Sequence, residues 1–165
     1  MHDLSYKHQK NKVFHLAQLS GNFNSDRIGS SVKNLRSSTL AMKRLVIDLD
    51  DTLTISNPDL SYSEKEPNLP LIAKLREYKA QGFEILIQTA RNMRTYQGAV
   101  GKINANTLPV ILEWLKKHDV PYDEIYVGKP WCGTEGFYVD DRAIRPREFV
   151  TLTLAEINAL IESGK

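Results

Sequence analysis

The sequence contains only one cysteine, Cys132, among its 165 residues. A lone cysteine excludes an internal disulfide framework and a zinc site built from cysteines alone. We interpret Cys132 as a packed or loop thiol, because no activating base can be assigned to it. A reducing cytoplasm is the simplest location for such a chain.

Long hydrophobic runs are also missing. No stretch approaches the roughly 18 consecutive apolar residues that a membrane span needs, and the first residues lack the hydrophobic segment of a secretory signal. Apolar residues make up 41% of the chain and charged residues 25%, which is typical of a soluble domain. The sequence therefore predicts a cytoplasmic protein without a membrane span.

The chain has little net charge, and that charge is unevenly distributed. The formal net charge is +2, but residues 1–41 contain six Lys and Arg against two Asp. Residues 42–165 contain 16 bases and 18 acids and are therefore slightly acidic. Because the basic character belongs to the first segment alone, we expect no nucleic-acid partner.

Residues 1–41 are rich in Ser, Asn, Lys and Gln, and their apolar residues have no sustained period. This composition predicts a poorly ordered basic extension. Two interpretations remain open: Met42 is the natural start of the protein, or the segment is a genuine tail for a partner or for targeting. Residues 42–165 are predicted to form one domain.

Regular elements are predicted from Arg44 onward. Asn68, Thr107 and the Thr153/Glu156 capping box each begin a predicted helix, the first two ending near residues 81 and 118. Residues 90–106 are predicted to form a loop with weak helical character. Four apolar segments predict strands, at residues 44–48, 83–89, 124–128 and 136–140. This order predicts an α/β, Rossmann-like fold: a mostly parallel sheet covered by helices on both faces.

Polar residues follow the end of each predicted strand. Ligands bind beyond the carboxyl ends of parallel strands, so these residues are expected to lie together at one edge of the sheet. They are Asp48 and Asp50 after the first strand, Thr89 and Arg91 after the second, Lys129 after the third, and Asp140 and Asp141 after the fourth.

These residue types fit phosphoryl chemistry. Several close carboxylates repel one another unless a cation joins them, and an all-oxygen donor set favours Mg²⁺. Lys129 and Thr89 supply a positive charge and a hydroxyl for phosphoryl oxygens. An aspartate can attack phosphorus, and a second acid can move the proton. Asp48 and Asp50 are candidates for these two roles.

The same residues resemble the haloacid dehalogenase (HAD) superfamily. Asp48-Leu49-Asp50-Asp51-Thr52 after "LVI" matches its DxDxT signature, "ILIQT" supplies the Thr89 motif, "VGK" supplies Lys129, and "FYVDD" supplies the acidic pair. The four motifs occur in the family's order and cover about residues 43–163. The resemblance implies a three-layer α/β sandwich.

The resemblance also implies roles. Asp48 is expected to be the nucleophile and a metal ligand, and Asp50 the general acid/base with its carbonyl on the metal. Thr89 and Lys129 are expected to hold the phosphoryl oxygens. The acid at Asp50 is typical of the phosphoester branch of the family and not of its dehalogenase branch.

Other positions are assigned less narrowly. Asp140 is expected to bind the metal directly, with Asp141 second or bridging through water, although which of the two binds directly stays open. Arg91 is a candidate substrate contact, with an ordinary surface base as the alternative. Asp51 is interpreted as a solvated turn residue, and Trp114 as a core residue.

The spacing of the motifs leaves no room for a cap domain. Capless members are similar to enzymes that act on macromolecules or that oligomerise to close the site, so we expect a homo-oligomer. "TARNMRTYQGAVGKIN" and "VGKPWCGTEGFYVDDRAIRP" further resemble phosphatases of bacterial capsule and surface-polysaccharide synthesis, which implies a phosphorylated, sugar-like substrate. The alternatives are a receiver-like domain or a catalytically inactive phosphate-binding module.

Overall fold

The computed structural model describes residues 42–164. The chain from Lys43 onward forms one compact unit. The predicted basic extension, with both of its interpretations, lies outside the described residues. Within the described part, none of the helices combines the length and the hydropathy that crossing a membrane would require.

The described residues form a small parallel sheet. Its strands are β1 (Arg44–Ile47), β2 (Glu84–Thr89) and β3 (Glu124–Val127), in the order β1-β2-β3. Both pairs of neighbours are parallel, with Ile47 opposite Ile87 and Ile87 opposite Ile125. These three strands confirm the first three predicted ones, and their carboxyl ends share one edge of the sheet.

The helices of the described part occupy the connections and the C-terminal region. At the start of α1 (Leu69–Ala80), the Asn68 side chain accepts a hydrogen bond from the Leu71 main-chain N–H at 3.4 Å, as the sequence predicts for a helix cap. Gly82 follows the helix with a φ of +83°, which glycine adopts without strain. The helices are α1 (Leu69–Ala80), α2 (Val100–Asn106), α3 (Leu108–Lys117), α4 (Pro146–Thr151) and α5 (Leu154–Ser163).

Two of these helices differ from the prediction. Residues 100–106, predicted as part of a loop, form α2, which buries Ile103 and packs against α3. The α4 helix has no counterpart in the prediction. Its Phe149 ring stacks on Tyr78 of α1 at 5.1 Å. Each of these short helices packs through one buried residue, Ile103 in α2 and Phe149 in α4. One apolar residue in a short segment produces no periodic pattern from which a helix could be predicted.

The predicted fourth strand does not form. Residues 136–140 pair with no strand, and Phe137 and Val139 are 77% and 88% exposed. The Tyr138 hydroxyl instead donates to the Pro130 carbonyl at 2.6 Å, which ties this segment to the loop after β3. A high β propensity reflects how well side chains fit a pleated surface, so it makes no strand without a partner.

The core lies on one face of the sheet. Ile47, Ile85 and Ile87 are buried there, together with the apolar sides of α1 and α3. The opposite face includes Val46, which is 57% exposed, and the exposed Tyr126. The described residues thus form a mixed α/β fold with a small parallel sheet, whose two faces are unequally covered.

Helix α1 buries one apolar face, formed by Leu71, Ile72, Leu75 and Tyr78. The core position of Trp114 is confirmed.

In α5 the Thr153/Glu156 capping box is confirmed. The helix packs loosely, because Ile157 is buried whereas Leu154 and Leu160 are exposed. Cys132 is exposed, so it is a loop thiol and not a packed one.

The core assignment can be tested on α1. Leu75 is completely buried, so Leu75→Ala is expected to lower the free energy of unfolding by about 2–5 kcal/mol through lost contacts and a residual cavity. The matched control is Leu69→Ala on the same helix, where the side chain is 65% exposed. It is expected to change stability by less than about 0.5 kcal/mol. Urea denaturation measures both, and equal losses would contradict the assignment.

Candidate active site

A wide turn follows β1 and carries the acidic residues. The turn spans Leu49–Leu53, and the Thr54 N–H closes it by donating to the Leu49 carbonyl at 3.0 Å. Leu49 and Leu53 are completely buried, so they anchor the turn in the core. This arrangement explains the alternation of leucines and aspartates: the leucines fix the backbone, and the acids lie at the edge of the sheet.

Asp51 is the exposed acid of the turn. Its φ is +56°, and its main-chain N–H donates to the Thr54 hydroxyl at 3.2 Å. Aspartate is one of the few residues besides glycine that tolerates this left-handed conformation. The geometry agrees with its interpretation as a turn residue.

Asp48 pairs with Lys129. The Lys129 ammonium donates to Asp48 Oδ1 at 3.1 Å. The Lys129 main-chain N–H donates to the Thr89 carbonyl, also at 3.1 Å. Burial raises the pKa of the Asp48 carboxyl above its ordinary value, the charge and hydrogen bond of Lys129 oppose this rise, and nearby Asp50 adds to it. The lysine therefore offsets part of the cost of burying the carboxylate.

Asp50 pairs with Arg91. The guanidinium binds the carboxylate through two nitrogens: Nη2 lies 2.7 Å from Oδ1, and Nε lies 3.1 Å from Oδ1 and 3.2 Å from Oδ2. The Thr89 hydroxyl lies 3.5 Å from Oδ2 and accepts the Arg91 main-chain N–H at 3.0 Å. These contacts join the end of β2 to the turn after β1.

Two tyrosines complete the surroundings of the basic residues, and neither was singled out in the sequence. The Arg91 guanidinium lies 4.3 Å from the centre of the Tyr62 ring, and the Lys129 ammonium lies 4.3 Å from the centre of the Tyr138 ring. Both contacts are of the cation–π type. Each tyrosine comes from an irregular loop, where no periodicity indicates which way a side chain turns.

The loop that carries Tyr62 is held at both ends. Thr54 and Pro67 form an antiparallel bridge at its base. Farther along, the Lys65 carbonyl accepts a hydrogen bond from Trp114 Nε1 at 2.7 Å. The buried tryptophan of α3 therefore helps to fix the loop that covers Arg91.

The structure thus brings together Asp48, Asp50, Thr89, Arg91 and Lys129, as expected from the strand ends. Within the described residues, no hydrogen bond or ion pair joins Asp140 or Asp141 to this group. Among residues 42–164, no three Asp, Glu, His or Cys side chains lie close enough to hold a metal ion. Asp140 Oδ1 accepts the Arg142 main-chain N–H at 2.7 Å in an exposed turn. Residues 136–140 form no strand, so both acids lie in an exposed segment and not at a strand end.

The remaining residues still fit Mg²⁺ in kind. Asp48 and Asp50 offer only oxygen donors, their side chains are 33% and 32% exposed, and they are two residues apart. Lys129 engages Oδ1 of Asp48, which leaves Oδ2 for a further partner. Hard oxygen donors with room for water are what Mg²⁺ requires.

A crystal structure of an MCSG target from Vibrio cholerae is similar to this protein. The two are 61% identical, with a TM-score of 0.73, over 75% of this chain and 100% of the other. The chain belongs to the family of that Vibrio cholerae protein. This kinship concerns sequence and fold, so the activity has to be argued from the site.

A second solved structure, of a Pnkp1/Rnl/Hen1 complex, shares 21% identity over 61% of this chain and 31% of the other, with a TM-score of 0.41. A likeness of that size supports no argument about fold or function. No family model matches the chain. No curated protein matches it either.

The left-handed conformation of Asp51 yields a test of the turn. Asp51→Val is expected to lower the free energy of unfolding by about 1–2 kcal/mol, because a β-branched side chain is strained at positive φ. Asp51→Gly is the control, since glycine adopts this conformation readily. Urea denaturation compares the two, and a valine variant as stable as the glycine variant would contradict the turn geometry.

Proposed function

We propose that this protein is a Mg²⁺-dependent phosphomonoester hydrolase of the HAD type. The observation that carries the proposal is the pairing at the sheet edge. Asp48 and Asp50 lie side by side after β1; Arg91 after β2 pairs with Asp50, and Lys129 after β3 pairs with Asp48. Two acids in distinct environments, next to a lysine and a threonine, suit an aspartyl-phosphate mechanism.

In the first step, a carboxylate oxygen of Asp48 attacks phosphorus and forms an acyl phosphate. The bond from phosphorus to the ester oxygen breaks, and Asp50 gives its proton to that oxygen. Oδ1 of Asp50 accepts the shortest hydrogen bond from Arg91, at 2.7 Å, whereas Oδ2 accepts only one at 3.2 Å, so Oδ2 is the oxygen assigned to the proton. This proton prevents an alkoxide from having to leave with its charge uncompensated.

In the second step, Asp50 acts as the base. It takes a proton from a water molecule that attacks the phosphorus of the acyl phosphate, and inorganic phosphate leaves Asp48. The two guanidinium nitrogens of Arg91 hold the Asp50 carboxyl in place for this step. Both carboxyl groups return to their starting states, so the cycle balances.

Lys129 and Thr89 are proposed to hold the phosphoryl oxygens, as their motifs imply. The ammonium of Lys129 is already at the Asp48 carboxylate, which would receive the phosphoryl group. The Asp48 carboxylate and the Asp50 carbonyl would hold Mg²⁺, with Asp140 or Asp141 as a further ligand. The bound ion would neutralise charge on the transferring group.

The substrate class is part of the same proposal. Within the described part, residues 54–83 and 90–123 contain only loops and helices α1, α2 and α3, which supports a site without a cap domain. The HAD resemblance then supports a three-layer sandwich whose open site is closed by a second subunit. A phosphorylated sugar or a related precursor of surface polysaccharide is the proposed substrate.

A phosphatase assay tests the proposal. Purified protein is expected to release phosphate from members of a phosphosugar panel with Mg²⁺, and to lose this activity with excess EDTA. Asp48→Asn is expected to abolish turnover, because the amide cannot form the acyl phosphate. Asp51→Asn, one turn position away and exposed, is the matched control and should retain turnover.

Two outcomes would contradict the mechanism: full activity in Asp48→Asn, or turnover that is indifferent to EDTA. Phosphate binding without turnover under all conditions would instead favour the inactive-module alternative.

A further inference from the structure

We infer that Arg91 is a positioning residue, which orients the Asp50 carboxyl for proton transfer and does not contact the substrate. This inference rests on the proposed function and deepens it. It replaces the expectation from the sequence, in which Arg91 is a candidate substrate contact because it follows Thr89 by two residues.

The contact between Arg91 and Asp50 has the geometry of an orienting clamp. Two guanidinium nitrogens bind the carboxylate, at 2.7 Å for Nη2 to Oδ1 and 3.1 Å for Nε to Oδ1, with Nε also 3.2 Å from Oδ2. A planar fork of this kind fixes both the distance and the plane of a carboxylate. The ammonium of a lysine would hold the charge near Asp50 but would leave the plane free to rotate.

The clamp itself is fixed at both ends. At its base, the Arg91 main-chain N–H donates to the Thr89 hydroxyl at 3.0 Å, and the same hydroxyl lies 3.5 Å from Asp50 Oδ2. At its tip, the Tyr62 ring covers the guanidinium at 4.3 Å. Thr89 of β2 and Tyr62 of the loop before α1 thereby hold Arg91, and Arg91 holds the Asp50 carboxyl that carries the proton.

Burial separates this role from substrate binding. The Arg91 side chain is 0% exposed, whereas the Asp50 side chain is 32% exposed. A phosphate ester that enters the site can reach the Asp50 carboxyl but finds no accessible surface on the guanidinium. Arg91 therefore acts on the reaction through Asp50.

The clamp also carries a cost to stability. Nη1 of Arg91 is buried and has no hydrogen-bond partner within the part of the chain that the structure describes. An unpaired buried donor destabilises a fold, and a buried ion pair is weak evidence of stabilisation. The buried guanidinium lowers stability and lies beside the proposed acid/base residue. Local costs to stability of this kind are expected at functional sites.

The experiment compares two esters that need the proton to different degrees. Phenyl phosphate has a basic leaving group that requires protonation, whereas 2,4-dinitrophenyl phosphate has an activated one that does not. First-turnover release of the phenol is measured by stopped flow with the full chain and Mg²⁺. Arg91→Lys and Arg91→Gln are compared with Arg94→Gln, a charge removal in the same loop, and thermal melting is measured for each.

Loss of the clamp is expected to slow phenyl phosphate by about 100-fold or more in Arg91→Gln, which is the usual contribution of a general acid. The activated ester is expected to slow by less than about tenfold, with KM little changed for either ester. Arg91→Lys should fall between wild type and Arg91→Gln, and Arg94→Gln should match wild type. A merely structural role would not produce this dependence on the leaving group.

A double-variant comparison keeps the inference testable if Arg91→Gln does not fold. In an Asp50→Asn background, Arg91→Lys is expected to add little to the loss for phenyl phosphate, because the carboxyl that it orients is gone. Additive losses would overturn the inference.

Equal losses for both esters would also overturn the inference, and a rise in KM alone would return Arg91 to substrate binding. Absence of Asp48-dependent release from either ester in the wild type would instead overturn the proposed function, and the inference with it.

Discussion

Two carboxylates at the carboxyl end of one strand cannot lie close together in a half-buried place without compensating positive charge. This constraint applies to Asp48 and Asp50 after β1. Lys129 forms an ion pair with Asp48, and Arg91 forms one with Asp50. The attraction between opposite charges in contact is strong where solvent is partly excluded. The two ion pairs therefore determine which side chains lie together at the carboxyl edge of the sheet. The need to compensate two neighbouring carboxylates thus accounts for both basic residues of the candidate active site.

The parallel sheet makes that solution possible. Because β2 lies between β1 and β3, the residues after all three strands approach the same edge. Arg91 follows β2, Lys129 follows β3, and Thr89 at the end of β2 connects to both through its carbonyl and its hydroxyl. The buried leucines of the turn then hold the acids in place from below, and the Tyr62 loop covers the arginine.

Much of this arrangement could be predicted from local sequence. The three strands, the Asn68 cap and the buried face of α1 follow from apolar periodicity and capping chemistry, which depend on neighbours along the chain. The grouping of Asp48, Asp50, Thr89, Arg91 and Lys129 follows from the rule that parallel strands share their carboxyl edge.

The remaining features depend on contacts that local sequence does not encode. Whether residues 136–140 pair as a strand depends on a partner, and in this structure Tyr138 is bound to Pro130 instead. The partner of Arg91 is decided by burial and by the Tyr62 loop, which no spacing reveals. Helix α4 packs through an aromatic contact between Phe149 and Tyr78, which are far apart in the chain.

The claim that Asp48 is the nucleophile is tested most directly by identifying the residue that carries the phosphoryl group. Asp50→Asn protein is expected to form the acyl phosphate and to hydrolyse it slowly. The protein is mixed with a phosphate ester, the reaction is quenched, and the product is treated with borohydride. An acyl phosphate on aspartate is reduced to homoserine, which mass spectrometry locates in the peptide. The account predicts homoserine at position 48 and none in Asp48→Asn protein. Phosphoryl transfer to another residue, or phosphate release with no residue modified, would contradict it.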